Sequence, residues 1–193
     1  VILVTIGIGV MLESLTGYGV SMLVTLPLLL RLVSRRRAIT LALIGMSLMP
    51  WGALSVSALL GAELARLPVD VLANAILTTS GPVAFVLPLL CIAMVPNTTR
   101  ADALFGVAAG AVLAGGIFAT SRLVGVEVAG VGGGAAVIVL CVLIGAPSSR
   151  FVKVVLARPL WPYALLIGAI VLQKLIGPYL SLWGVAPTIS TER

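Results

Sequence analysis

The chain contains no histidine, only two cysteines and very little charge: 9% of its 193 residues are Asp, Glu, Lys or Arg. A soluble domain carries about 25% charged residues, so a water-surrounded fold is excluded first. The absence of histidine removes Ser-His-Asp chemistry, imidazole metal ligands and a histidine proton relay. Cys91 and Cys141 both fall inside apolar runs without CxxC spacing, so they read as buried thiols and not as a disulfide or a metal site. No nucleophile–base set and no metal-ligand cluster emerges, so neither an enzyme nor a cofactor is expected. There is no initiator Met, and the first residue already lies in an apolar run, which reads as a piece of something longer.

What remains is lipid-compatible. Hydrophobic residues make up 61% of the chain and the mean hydropathy is +1.25. The pattern predicts an all-α fold: a polytopic transmembrane helical bundle in a single membrane domain over 1–193. About six spans are expected, at 1–30 (broken or re-entrant), 38–60, 71–95, 103–121, 128–147 and 160–177. A net charge of +6 does not indicate nucleic acid, because the basic residues gather in short segments between apolar runs. If the spans alternate, loops 31–37, 96–102 and 147–158 share one side with eight Lys/Arg, and four fall on the other. The positive-inside rule then places the first set in the cytoplasm.

Glu13 is the single charged residue among the first thirty, and an ionised side chain at membrane depth costs a few kcal/mol. Gly17 and Gly19 follow it and weaken helix, and Pro27 removes a backbone donor. Irregular backbone is tolerated in a membrane only where it lines a cavity or is buried in protein. Two further segments carry the same signs and are expected to break: Pro50-Trp51-Gly52 with Ser55 and Ser57, and Thr78-Thr79-Ser80-Gly81-Pro82. In the later spans, Gly106-x-x-x-Gly110-x-x-x-Ala114 sets small residues on one face for close helix packing. The loop 150–158 is basic and mildly amphipathic, and Trp161, Tyr163, Tyr179 and Trp183 suit an interfacial aromatic belt.

Leu12-Glu13-Ser14-Leu15-Thr16-Gly17-Tyr18-Gly19 resembles the Leu-Glu-Gly-x-Ala-Gly-Phe-Gly signature of the bacterial L-lactate permease family. Trp51-Gly52-Ala53-Leu54 is similar to that family's Phe-Gly-Ala-Leu, and Leu160-Trp161-Pro162-Tyr163-Ala164-Leu165-Leu166 to its Trp-Ser-Pro-Tyr-Leu-Leu-Leu. The likeness covers most of this chain but roughly a third of a full-length permease. It departs where the family has Asn-Thr-Ala-Pro, here Gly45-Met46-Ser47-Leu48, and at Val20, Ser21 and Met22. The resemblance implies an inner-membrane symporter of lactate and glycolate with protons.

Glu13 is the candidate proton-coupling group; its plainer alternative is an interfacial carboxylate or one paired with a cation elsewhere. Thr16, Gly17, Tyr18, Gly19 and Ser21 are candidates for binding a small carboxylate through unwound backbone and half-helix N-termini. Ser47, Trp51, Gly52 and Ser55 are candidate lining of the same mid-depth site; the plainer alternatives are a lipid-facing Trp51 with packed serines here, and ordinary helix packing through small residues for 16–21. The expected partners are a small organic anion, a proton and the lipid bilayer. The competing functions are transport of a different small anion and a non-transporting membrane scaffold.

Overall fold

Every regular element among the described residues is a helix. The computed structural model describes residues 1–17, 19–48, 51, 56–145 and 172. The chain divides into one unit over Val1–Pro147 and a second over Ser148–Arg193. Of the second, only the exposed, helical Leu172 is described; the expected span 160–177 and the loop 150–158 otherwise lie outside the described residues.

The first segment is a helical hairpin. Helix α1, Leu3–Thr16, opens with a π-helical stretch over Leu3–Ile8 and continues as α-helix from Gly9. It stops at Gly17, whose φ of 66° and ψ of 179° fall in a region essentially confined to glycine. Gly19 follows at φ 83°, and α2 runs from Ser21 to Leu30 with Pro27 inside it. Glu13 meets Ser21, and Gly9 meets Thr25, so four residues back on one arm match four forward on the other. The arms are therefore antiparallel. At ~1.5 Å per residue they are about 21 and 15 Å long, each short of a ~30 Å hydrocarbon core.

The second segment is also interrupted, with bounds that differ from 38–60. Helix α3 is Arg35–Gly45 and α4 is Val56–Ala65; the buried Trp51 lies between them. Gly45 lets α3 approach α1, since a Cβ there would stand 2.7 Å from the Thr5 carbonyl oxygen. The third expected break is absent: α5, Val69–Ala93, is one continuous helix through Pro82 and Pro88. Its hydroxyls fold back on the preceding turn, with Thr78 donating to the Asn74 carbonyl at 2.8 Å and Ser80 to that of Ile76 at 2.6 Å. The polar groups are thus satisfied within the helix, and nothing requires it to open.

Helix α6, Arg100–Leu123, starts from a capping box in which the Thr99 hydroxyl accepts from the Asp102 N–H and the Asp102 carboxylate accepts from Thr99. After Gly125 and a 3₁₀ turn over Val126–Val128 comes α7, Ala129–Gly145. Three stretches, Val71–Ala93, Arg100–Leu123 and Val126–Ile144, are long and apolar enough to cross a membrane, as expected of a membrane protein.

Glycines set how closely these helices lie. Gly106 and Gly110 of α6 face Leu89, Ile92 and the backbone of Phe85 on α5, which is the small-residue face read from the sequence. The glycines of α7 divide between two edges. Gly132 and Gly133 meet Thr120 and Ile117 of α6, whereas Gly130 and Gly134 meet Ser14 and Met11 of α1. Helix α7 is therefore wedged between α6 and α1, both antiparallel to it. One end of the unit brings together Leu3, Val95, Asp102, Phe105 and Cys141 around a cavity of about 370 Å³. The opposite end brings together Asn74, Ser121, Arg122 and Val126 around another of about 260 Å³. Arg31, Arg35–Arg37 and Arg100 belong to the first end, and Arg66 and Arg122 to the second.

Candidate functional site

The hairpin turn is where the candidate residues converge. Glu13 is in the last turn of α1 and only 2% exposed. Its Oε1 accepts from the Gly19 N–H at 3.0 Å, and its Oε2 accepts from the Ser21 hydroxyl at 2.7 Å. Neither partner is a cation. The start of α2 has no side-chain cap; the carboxylate from α1 lies against it, on the N–H just before the N-cap Val20 and on the hydroxyl of the first helical residue, at the positive end of the helix. A hydrogen bond to a charged group contributes ~1.5–3 kcal/mol, so two are similar in size to the ~2.5–3.5 kcal/mol insertion cost of a mid-span charge.

The turn is closed by backbone as well. The Gly17 N–H donates to the Glu13 carbonyl at 2.7 Å, and the Val20 N–H to the Gly17 carbonyl at 3.2 Å. The Thr16 hydroxyl is spent on the Leu12 carbonyl at 2.7 Å. Below Ser21 the buried Thr25 hydroxyl donates to the Ser21 carbonyl at 3.0 Å, so the face of α2 against α1 is polar for two turns. On α1, beside Gly45 of α3, the fully buried Thr5 hydroxyl has no hydrogen-bond partner among the described residues.

Of the residues expected to form the site, Glu13, Gly17, Gly19 and Ser21 come together. Trp51 stands close by: a Cβ on Gly130 would lie 2.9 Å from the Cβ of Trp51 and also against Ser14. The Trp51 indole N–H donates to the Ser80 hydroxyl at 3.0 Å, which ties this corner to the middle of α5. Ser47 stands apart, exposed, with its hydroxyl turned back on the Ile44 carbonyl. Tyr18, Gly52 and Ser55 lie outside the described residues. Sequence reasoning missed Ser14 and Gly130, whose contact joins α1 to α7; the four-residue spacing of Gly130 and Gly134 was the available signal.

Ser14 is level with Gly130, four residues into the Val126–Ile144 stretch, so Glu13 lies in the half of the stretch nearer that end. Among the described residues it is the end with fewer arginines. No family model, curated protein or solved structure matches the chain.

Proposed function

We propose that this chain is part of a secondary transporter that moves a small monocarboxylate of the lactate and glycolate type together with protons across a bacterial plasma membrane. The observation that carries the reading is the buried Glu13 carboxylate, held by an N–H and a hydroxyl with no cation on it among the described residues, at the turn of a hairpin too short to cross the membrane. Such a carboxylate accepts a proton without breaking an ion pair. With the arginine-rich end in the cytoplasm and multiple crossings between, Glu13 lies nearer the outer face, where an incoming proton arrives. The motif residues that resemble the lactate permeases include Glu13, Gly17 and Gly19, the residues that build the turn.

The test is uptake of labelled lactate into vesicles carrying the full protein, with and without an imposed inward proton gradient. Saturable uptake that rises with the gradient, and that loses its response to the gradient in Glu13→Gln, is the expected outcome. Displacement of the label by glycolate but not by sulfite or succinate supports the monocarboxylate class; the reverse order points to a different small anion. Vesicles that take up none of these would leave the scaffold function.

A further inference from the structure

The two donors on Glu13 were expected to hold the transported anion, and in the structure they are occupied by the protein's own carboxylate. Gly19 and Ser21 open α2, Glu13 closes α1, and only Gly17–Val20 join the two arms. Gly17 and Gly19 both have positive φ, so the link turns at two residues that carry no Cβ.

We infer that Glu13 and Ser21 form a proton-operated latch on this hairpin: the ionised carboxylate ties the start of α2 to α1, and protonation releases it. The inference rests on Glu13 as the proton-carrying group. An ionised carboxylate only accepts, and both of its oxygens have a donor here. When a proton adds to Oε2, that oxygen donates to Ser21 Oγ, whose own hydrogen turns away, and the Gly19 N–H meets a neutral carbonyl oxygen, so both bonds lose the charge assistance of the carboxylate. Both ties across the turn weaken together, and α2 is left hinged at Gly17 and Gly19. Ser21 is then a positioning residue: its hydroxyl holds the carboxylate in the ionised, latched form.

Among the described residues, Glu13 is the one ionisable group at this turn. From α2 it faces Ser21 and Thr25; the Gly130 and Gly134 edge of α7 carries no ionisable side chain. The charged residues of α3, Arg35–Arg37, are at the other end of the hairpin. Glu127 is the nearest acid in the element before α7, in the 3₁₀ turn, and Trp51 is uncharged. The latch also gives the proton a structural effect that an isolated carboxylate would lack.

Amide hydrogen exchange of the full protein in lipid nanodiscs tests this, reading peptides over residues 14–23 at several pH values with intrinsic rates divided out. In the wild type, protection should fall as pH drops through one transition. Glu13→Gln should give the low-pH exchange level at every pH. Ser21→Ala should move the transition to higher pH, because the donor it removes favours the ionised form. Ser21→Thr, which keeps a hydroxyl, should restore it. Protection of α6 serves as the folding control. Wild-type exchange that matches Glu13→Gln throughout, or a Ser21→Ala transition at the wild-type pH, overturns the latch. Since the measurement needs no substrate, failed lactate uptake would dismiss the transporter reading and leave this result to stand or fall separately.

Discussion

Two glycines on one helix should respond oppositely to the same methyl group. Gly110 and Gly115 both lie inside α6, and replacing either by Ala gains roughly 0.5–1 kcal/mol of helix propensity. At Gly115 a Cβ would meet nothing within 4 Å, so the gain stands alone. At Gly110 the new methyl would run into the Phe85 carbonyl oxygen, with the carbonyl carbon at 3.0 Å and the Cα at 3.2 Å. These are backbone atoms of a continuous helix, so no side chain can rotate to make room. Overpacking of this kind costs ~1–3 kcal/mol, which exceeds the propensity gain. Gly115→Ala should therefore raise the unfolding midpoint slightly, and Gly110→Ala should lower it, the pair differing by about 1–3 kcal/mol. Unfolding of the full protein from mixed micelles by increasing SDS, followed by circular dichroism, measures the difference. A Gly110→Ala protein as stable as Gly115→Ala would refute the close α5–α6 packing.

The hairpin and its surroundings carry three more predictions. Gly17→Ala places a side chain at φ 66°, ψ 179°, and should cost about 1–3 kcal/mol in the same denaturation while raising exchange over 14–23. Thr5→Val replaces a buried hydroxyl, unpartnered among the described residues, by a methyl of the same shape and should stabilise by roughly 1 kcal/mol; a loss of stability would reveal a partner for that hydroxyl. Trp51→Phe removes the indole donor to Ser80 and part of a fully buried ring, with an expected loss of about 1–3 kcal/mol in SDS unfolding. An unchanged midpoint would place Trp51 outside the packed corner.

The all-α class and the break after Glu13 are legible because both arise from local chemistry: long uncharged runs, and glycines beside a lone carboxylate. That the break turns the chain back on itself is not local. It follows from α1 finding Gly130 and Gly134 of α7, more than a hundred residues away, which leaves α2 to fold along α1. Thr78–Pro82 carries much the same signs as Gly17–Ser21, yet α5 stays whole. The difference lies in the residues themselves. Gly17 and Gly19 adopt positive φ, while the hydroxyls of Thr78, Thr79 and Ser80 bond within their own helix. Ser21 was legible as a polar residue of the site but not as a partner of Glu13, because a spacing of eight residues has meaning only once the hairpin has closed.

The two glycine edges of α7 have a mechanical consequence. Side chains of α6 and α1, among them Thr120, Ile117 and Ser14, rest directly on the glycine backbone of α7, and sliding one helix past another would drive them into its neighbouring residues. These three helices are a wall. Helix α2 packs chiefly on α1 and α3, through Ser21, Thr25 and Leu29, and its outer face carries Leu23, Val24 and Leu30 exposed. It is the door: held to the wall by a carboxylate at one corner, it can move without disturbing the frame.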